Sequence, residues 1–271
     1  MNKSEDQHTR ENIHHQKWAS AELNNALLWK ESFTGPCALE AKWFLPKIQP
    51  LAGKRILDCG GGLGEATLFF ASMGALVTYS DLSPDMVSIA RNRAKDLGLD
   101  NSIIWHNGPA EELNQTELFD VFYAANLIHH LAPENREGFL IQARNLLKAD
   151  GTFVSWDPIS YNPVINTYRA RAKEVRSVDE KPLNIGDLRM LRKIFPDNQT
   201  QFCWLLALSL MVKYALINRI DPNKVRYWKL IYKETDDALF WWKPLAKLDS
   251  YLGRVPGIRW LAWNLCFIGK K

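Results

Sequence analysis

The chain has 271 residues, 46% apolar and 24% charged, with a formal net charge of +4; this is the balance of a soluble globular protein, long enough for one large domain or two small ones. Its four cysteines (Cys37, Cys59, Cys203, Cys266) are scattered, with no C-x-x-C pair and no His/Cys cluster at ligand spacing. That pattern excludes a disulfide framework and structural zinc, and it points to a reducing compartment.

Charge is uneven along the chain. Residues 1–199 hold 22 Lys/Arg and 25 Asp/Glu, a net of −3, whereas residues 200–271 hold 12 and 5, a net of +7. A basic segment suggests an anionic partner or surface.

Residues 1–20 are polar, carry His8, His14 and His15, and lack the apolar core of a secretion signal. They are expected to form a frayed tail on a cytoplasmic protein, with no metal bound. From Ala21 to Pro46 the spacing of Leu23, Ala26, Leu27 and Trp29, then Ala38, Ala41, Phe44 and Leu45, predicts helix broken at Gly35-Pro36. Residues 1–50 are assigned to this tail and its helices.

A core follows over 51–157. The run Arg55-Ile56-Leu57-Asp58-Cys59 enters Gly60-Gly61-Gly62-Leu63-Gly64 and then a helical stretch from Glu65 to Met73. Glycine permits positive φ and lets a ligand lie against bare backbone. A second apolar run, Ala75 to Ser80, ends on Asp81, the position beside the ribose hydroxyls in a doubly wound sheet. The dinucleotide fingerprint fails, because the sixth position counted from Gly60 is Glu65 instead of glycine. Ser83 and Pro84 open the next helix and Gly98 ends it; Met86, Ile89, Ala90 and Ala94 share its inner face. Pro133 opens another, running to about Leu147. Alternating strands and helices call for a parallel sheet covered on both faces.

The pattern acid-x-Gly-x-Gly-x-Gly at Asp58, Gly60, Gly62 and Gly64 resembles motif I of the class I S-adenosylmethionine (SAM) methyltransferases. Three further segments, in the family's order, are similar to its later motifs. These are Gly108-Pro109-Ala110-Glu111-Glu112-Leu113, the stretch Phe119 to Leu131, and Leu146 to Trp156. The resemblance implies a doubly wound α/β fold with a seven-stranded, mostly parallel sheet, and SAM as cofactor. It places Asp58 near the SAM ammonium, Asp81 with Leu82 at the ribose, and Ala110 and Glu111 around the adenine. Met86 is a candidate adenine contact by its position, weighed against core packing, which its helical spacing favours. Asn126 and Leu127 fall under the methionine part.

Residues 158–271 read as substrate cap and closing strands of the same domain. Helical caps are expected over 158–200 and 210–258, with Phe202–Leu208 as a sixth strand and Trp260–Ile268 as a seventh. Six of the eleven tryptophans lie in this basic third (Trp204, Trp228, Trp241, Trp242, Trp260, Trp263), and tryptophan with Lys and Arg suits an interfacial surface. The apolar run from Phe202, broken at Lys213, is too short to span a bilayer. Peripheral contact with the inner face of the membrane is therefore weighed against plain burial.

Methyl transfer needs an aligned nucleophile and, where that nucleophile bears a proton, a base. His129 and His130 are the candidates, with a reference pKa of about 6.5. Trp29 (with Phe33, as lid residues), Asp157, Tyr161 and Tyr168 are candidate substrate contacts. The expected function is transfer of a methyl group from SAM to an oxygen, nitrogen or carbon of a small or lipid-like acceptor. The alternatives are a non-catalytic SAM-binding accessory protein and an RNA methyltransferase. Nucleic acid is disfavoured because Ala125-Asn126-Leu127-Ile128 is not the Asn/Asp-Pro-Pro-aromatic motif of enzymes that methylate base amines.

Overall fold

A computed structural model describes residues 28–113, 118–172 and 180–271; the N-terminal tail and the start of the first predicted helical stretch lie outside them. In chain order, α1 (Leu39–Ile48) precedes β1 (Arg55–Cys59), α2 (Glu65–Ser72), β2 (Leu76–Asp81), α3 (Pro84–Asp96) and β3 (Ile103–Asn107). Then come β4 (Phe119–Ala125), α4 (Pro133–Asn145), β5 (Leu147–Pro158), α5 (Pro163–Arg171) and α6 (Ile185–Ile194). The chain closes with β6 (Asn198–Cys203), α7 (Lys243–Leu252) and β7 (Asn264–Lys270), with short helical turns between.

The strands form one sheet in the order β3-β2-β1-β4-β5-β7-β6. Strands β1–β6 run in one direction, and β7 lies antiparallel between β5 and β6. Central strands are buried almost throughout, as a sheet with two covered faces requires. Aromatic packing fills both sides: Phe33, Phe44, Phe70 and Tyr123 on one, Phe122, Phe139, Phe153 and Phe195 on the other. The capping signals hold. Ser83 accepts the N–H of Met86 at the start of α3, and Gly98 adopts φ +70° beyond its end.

Two strand limits differ from the sequence expectation. The sixth strand starts at Asn198 and stops at Cys203, because Trp204 turns to φ +70° and Leu206–Leu208 coil into a helical turn. Asn198, Gln199, Thr200 and Gln201 escaped notice because β6 is an edge strand, where polar residues replace the apolar run sought. The seventh begins at Asn264 instead of Trp260, after a turn over Ile258–Leu261. Caps do follow β5 and separate β6 from β7, and among the described residues no helix is long and apolar enough to cross a membrane.

A buried acid clamps the cap to the sheet. Glu40 of α1 accepts hydrogen bonds from Trp204 Nε1 and Asn264 Nδ2, each at 2.7 Å, joining the ends of β6 and β7. Burial raises its pKa, against the lowering effect of those donors. A carboxyl raised in the folded state is more protonated there than in the unfolded chain, so its contribution to stability falls as pH rises from its unfolded value near 4.5. Glu40→Ala strands two buried donors and is expected to cost about 2–4 kcal/mol. Glu40→Gln keeps an acceptor and should flatten the pH dependence; urea melts taken from about pH 4.5 upward read both effects.

Candidate active site

The loop after β1 is a left-handed turn that only glycine tolerates well. Gly60, Gly62 and Gly64 take φ of +71°, +51° and +91°. A Cβ on Gly64 would come within 2.9 Å of Ala90 Cβ, so glycine there lets α2 and α3 pack closely. A Cβ on Gly62 would meet nothing within 4 Å; the turn is open on that side.

Three acids surround it. Asp58 is buried and its Oδ2 accepts the Thr67 hydroxyl at 2.5 Å. Burial pushes the Asp58 carboxyl up to about 7; the Thr67 bond opposes this, and the charges of Glu65 and Asp81 reinforce it. Asp81 braces the turn, with Oδ2 accepting the N–H of Gly62 and Oδ1 that of Ser83, both at 2.9 Å.

The loop after β3 is stitched to the end of β2. Gly108 N–H donates to Asp81 O at 3.0 Å, Ser80 Oγ donates to Gly108 O at 2.8 Å, and Asn107 Nδ2 donates to Asp81 O at 3.0 Å. Ala110, buried, starts a short turn there, and Leu82, the residue after Asp81, is exposed. The Glu111 side chain lies outside what the structure describes. Met86 takes the core place that its helical spacing favours. It is fully buried with Leu63 and Ile89, so it underpins the loop and has no surface to offer a ligand.

At the tip of β4, Asn126 is exposed and takes φ +51°, while its N–H donates to Trp156 O at 2.8 Å. Left-handed backbone in a non-glycine residue costs energy and gathers at functional sites. Leu127 packs on the glycine turn: a Cβ on Gly60 would stand 2.8 Å from its Cδ1.

His129 is held on several sides. Its backbone N–H donates to Asp157 Oδ1 at 3.2 Å, and its ring Nδ1 lies 2.8 Å from the same oxygen. Its carbonyl accepts the N–H of Lys181 at 2.8 Å. Asp157 is completely buried at the end of β5. Burial pushes its carboxyl up to about 7, against the His129 N–H and the charges of His130 and Arg136. The His130 ring stands 4.2 Å from that of His129. With Nδ1 facing Asp157, His129 Nε2 is the ring nitrogen on the opposite side, the arrangement of an oriented proton acceptor.

Sequence reading missed what holds this pair. Residues 180–184 run beside the end of β5, through an Ile159–Leu183 bridge and the bond from Leu183 N–H to Pro158 O at 2.9 Å. Buried Arg136 ties that strap to α6 through Asp187 at 2.8 Å. No local motif announces a contact made across so many residues. The strap also brings Glu180 near the histidines: ligand-type atoms of His129, His130 and Glu180 all lie within 4.8 Å of one another, a grouping absent from the sequence expectation.

The remaining candidates divide. Tyr161 is exposed past β5, edge-on to Trp260 at 5.5 Å, and its hydroxyl accepts the Ile185 N–H. Tyr168 is half-buried against Tyr227 in the cap core. Phe33 stacks on Phe69 at 4.2 Å inside the main core, so it is packing and not lid; Trp29 is half-buried beside that core.

Residues 56–151 match the family model described as a methyltransferase domain. The chain is 35% identical over 103 residues to a demethylmenaquinone methyltransferase of Tropheryma whipplei, covering 38% of this chain and 41% of that protein. It is 31% identical over 111 residues to a ubiquinone biosynthesis O-methyltransferase of Glaesserella parasuis, covering 39% and 45%. The chain thus spans less than half the length of these curated relatives. Among solved structures, a mycolic acid cyclopropane synthase complexed with SAH aligns with a TM-score of 0.56 at 14% identity, covering 88% of this chain and 84% of that one. A Haemonchus contortus phosphoethanolamine N-methyltransferase aligns at 0.55 and 18%, covering 87% and 52%. The fold is the Rossmann-like fold of class I methyltransferases.

Proposed function

We propose that this chain, whose residues 56–151 form a class I methyltransferase domain, transfers a methyl group from SAM to an oxygen, nitrogen or carbon of a small or lipid-like acceptor. One observation carries the reading. The glycine turn, Asp58, Asp81 and the His129–Asp157 pair all stand at the C-terminal ends of neighbouring strands β1, β2, β4 and β5, where open α/β sheets bind ligands. Relatives named for demethylmenaquinone and ubiquinone biosynthesis support a lipid-like acceptor.

The residues suit SAM. Asp58, Asp81 and Glu65 interact as charges around one turn, which favours a cationic ligand and disfavours a pyrophosphate. Bound SAM supplies a methyl carbon activated by its sulfonium. Asp81 would hold the ribose hydroxyls, Asp58 would face the ammonium, and the loop from Gly108 to Ala110 would frame the adenine. With SAM and acceptor bound, His129 would take the acceptor's proton on Nε2, and Asp157 would stabilise the imidazolium so formed. In this reading the basic cap rests on a membrane surface.

Asp58 makes SAM binding pH-dependent. Its carboxyl titrates near 7 in the folded protein, and a cationic ligand favours the ionised form. Below that pH, binding must release a proton; affinity is therefore expected to rise with pH up to about 7 and level off above it. Calorimetry at about pH 6 in buffers of different ionisation enthalpy reads the proton directly. Binding without release would remove Asp58 from contact with the ligand's charge.

The function itself is tested by incubating the protein with methyl-labelled SAM and a cell extract, then partitioning the products. Label in the organic phase supports the lipid-like acceptor. Label in nucleic acid overturns it, and SAM binding without any transfer indicates a non-catalytic accessory protein.

A further inference from the structure

Helix α7 has two faces, and among the described residues only one has a partner. On the inner face, Asp249 is buried and its carboxylate accepts the backbone N–H groups of Leu205, Leu206 and Ala207 at 2.8, 2.6 and 3.1 Å. That acid locks the rotation of the helix. Trp242, at its N-terminal end, is buried and donates from Nε1 to Ala207 O at 2.9 Å. The outer face, at helical spacing, carries Lys247, Leu248 and Tyr251, the last two 45% and 58% exposed. Phe240, just before the helix, is 76% exposed.

Lysines concentrate on the same side. Lys42 from α1 joins Lys243 and Lys247 around a cleft of about 300 Å³ floored by Leu39 and Trp242. Asp236 is the acid in its lining, already paired with Lys243 at 2.7 Å. The cleft therefore keeps a net positive charge beside exposed aromatic and aliphatic side chains. Two of its three lysines, Lys243 and Lys247, come from the basic segment 200–271.

We propose that the outer face of α7, with Phe240 and the lysine cleft beside it, docks on a bilayer containing acidic phospholipids. Apolar side chains enter the headgroup boundary while lysines meet lipid phosphates, the division of labour of an interfacial helix. A protein partner fits less well, because the lysines would then need matching acids instead of a diffuse anionic surface. The location also serves the reaction, a point that rests on the methyltransferase reading. The chain leaves α7 through the turn Ile258–Leu261; there Trp260 meets Tyr161 at 5.5 Å and Leu261 O accepts a hydrogen bond from Asn162 Nδ2. Tyr161 and Leu261 are exposed at that point, just past the end of β5. A docked cap would face a lipid-like acceptor toward the mouth of the site.

The test is sedimentation of the full chain with vesicles of phosphatidylglycerol and phosphatidylcholine in equal parts, against phosphatidylcholine alone. Binding is expected to the acidic vesicles, to weaken with salt, and to fall about 30-fold in Lys243→Gln/Lys247→Gln, from a factor of about five per lysine at an anionic surface. Leu248→Ser/Tyr251→Ser should also lower it. Calorimetric SAM binding by the same variants checks that they are folded. Undiminished vesicle binding by both folded variants, no binding by the parent, or equal binding to both vesicle types would overturn the docking surface. Loss of SAM binding by the parent would instead overturn the methyltransferase reading and leave the vesicle result to decide docking by itself.

Discussion

Replacing His129 with alanine is expected to lower turnover about 10²–10⁴-fold, the range a positioned proton acceptor supplies, with little change in SAM affinity. The split follows from geometry. His129 is buried at the end of β4, its ring held by Asp157 at 2.8 Å and its carbonyl by Lys181, while the glycine turn and Asp81 belong to β1 and β2. A purely structural histidine would instead lose stability and both kinetic parameters together. Its substitution by alanine also exposes the neighbouring buried Asp157 to an unfilled space, so thermal melts must accompany the assay. Turnover within tenfold of the parent, in a variant that remains folded, would sink the assignment and shift attention to His130.

The same pair predicts a pH limb. Burial pushes the Asp157 carboxyl up to about 7, so below that pH the acid is largely protonated and cannot stabilise an imidazolium. Activity is expected to rise with pH through about 7 and to flatten above it. The two groups titrate as a pair, and the limb belongs to both. Asp157→Asn removes the ionisable partner and should move the limb, which then belongs to the His129 imidazole alone. It should also lower turnover strongly, because the amide can reverse the hydrogen bond that selects the tautomer. An unchanged profile in that variant would place the titrating group elsewhere.

How much of this was legible in the sequence depends on whether the determinant was local. The glycine turn, Asp58, Asp81 and the capped α3 were readable, because each depends on a few consecutive residues whose φ or capping chemistry is restrictive. The His129–Asp157 pair was half readable. Both residues stood out, but their contact spans 28 positions and depends on β4 and β5 being neighbours. The strap at 180–184, Arg136 and the Glu40 clamp were not legible, since each joins elements far apart in the chain. Edge strand β6 was misplaced for a related reason: polar residues at a sheet edge carry no apolar signal. Met86 shows the opposite limit. Its spacing allowed both a core place and an adenine contact, and packing against Leu63 and Ile89 decides for the core.

Asp81→Ala is expected to weaken SAM binding by about 2–4 kcal/mol, roughly 30- to 1000-fold in Kd, from the loss of hydrogen bonds to a charged acceptor. Each carboxylate oxygen already accepts one backbone N–H, from Gly62 or Ser83 at 2.9 Å, and each has a second lone pair for a ribose hydroxyl. The substitution therefore acts twice. It removes the acceptor, and it releases Gly62 from the φ of +51° that keeps the turn open. Asp81→Asn separates the two effects: its amide oxygen can still accept from one backbone donor, but its NH₂ cannot take a hydroxyl proton. A loss of about tenfold in the amide and far more in alanine would show that brace and ribose contact both matter. Equal, large losses would mean the ribose contact dominates. Unchanged affinity in Asp81→Ala would remove the ribose assignment altogether and leave Asp81 as a bracket for the glycine turn.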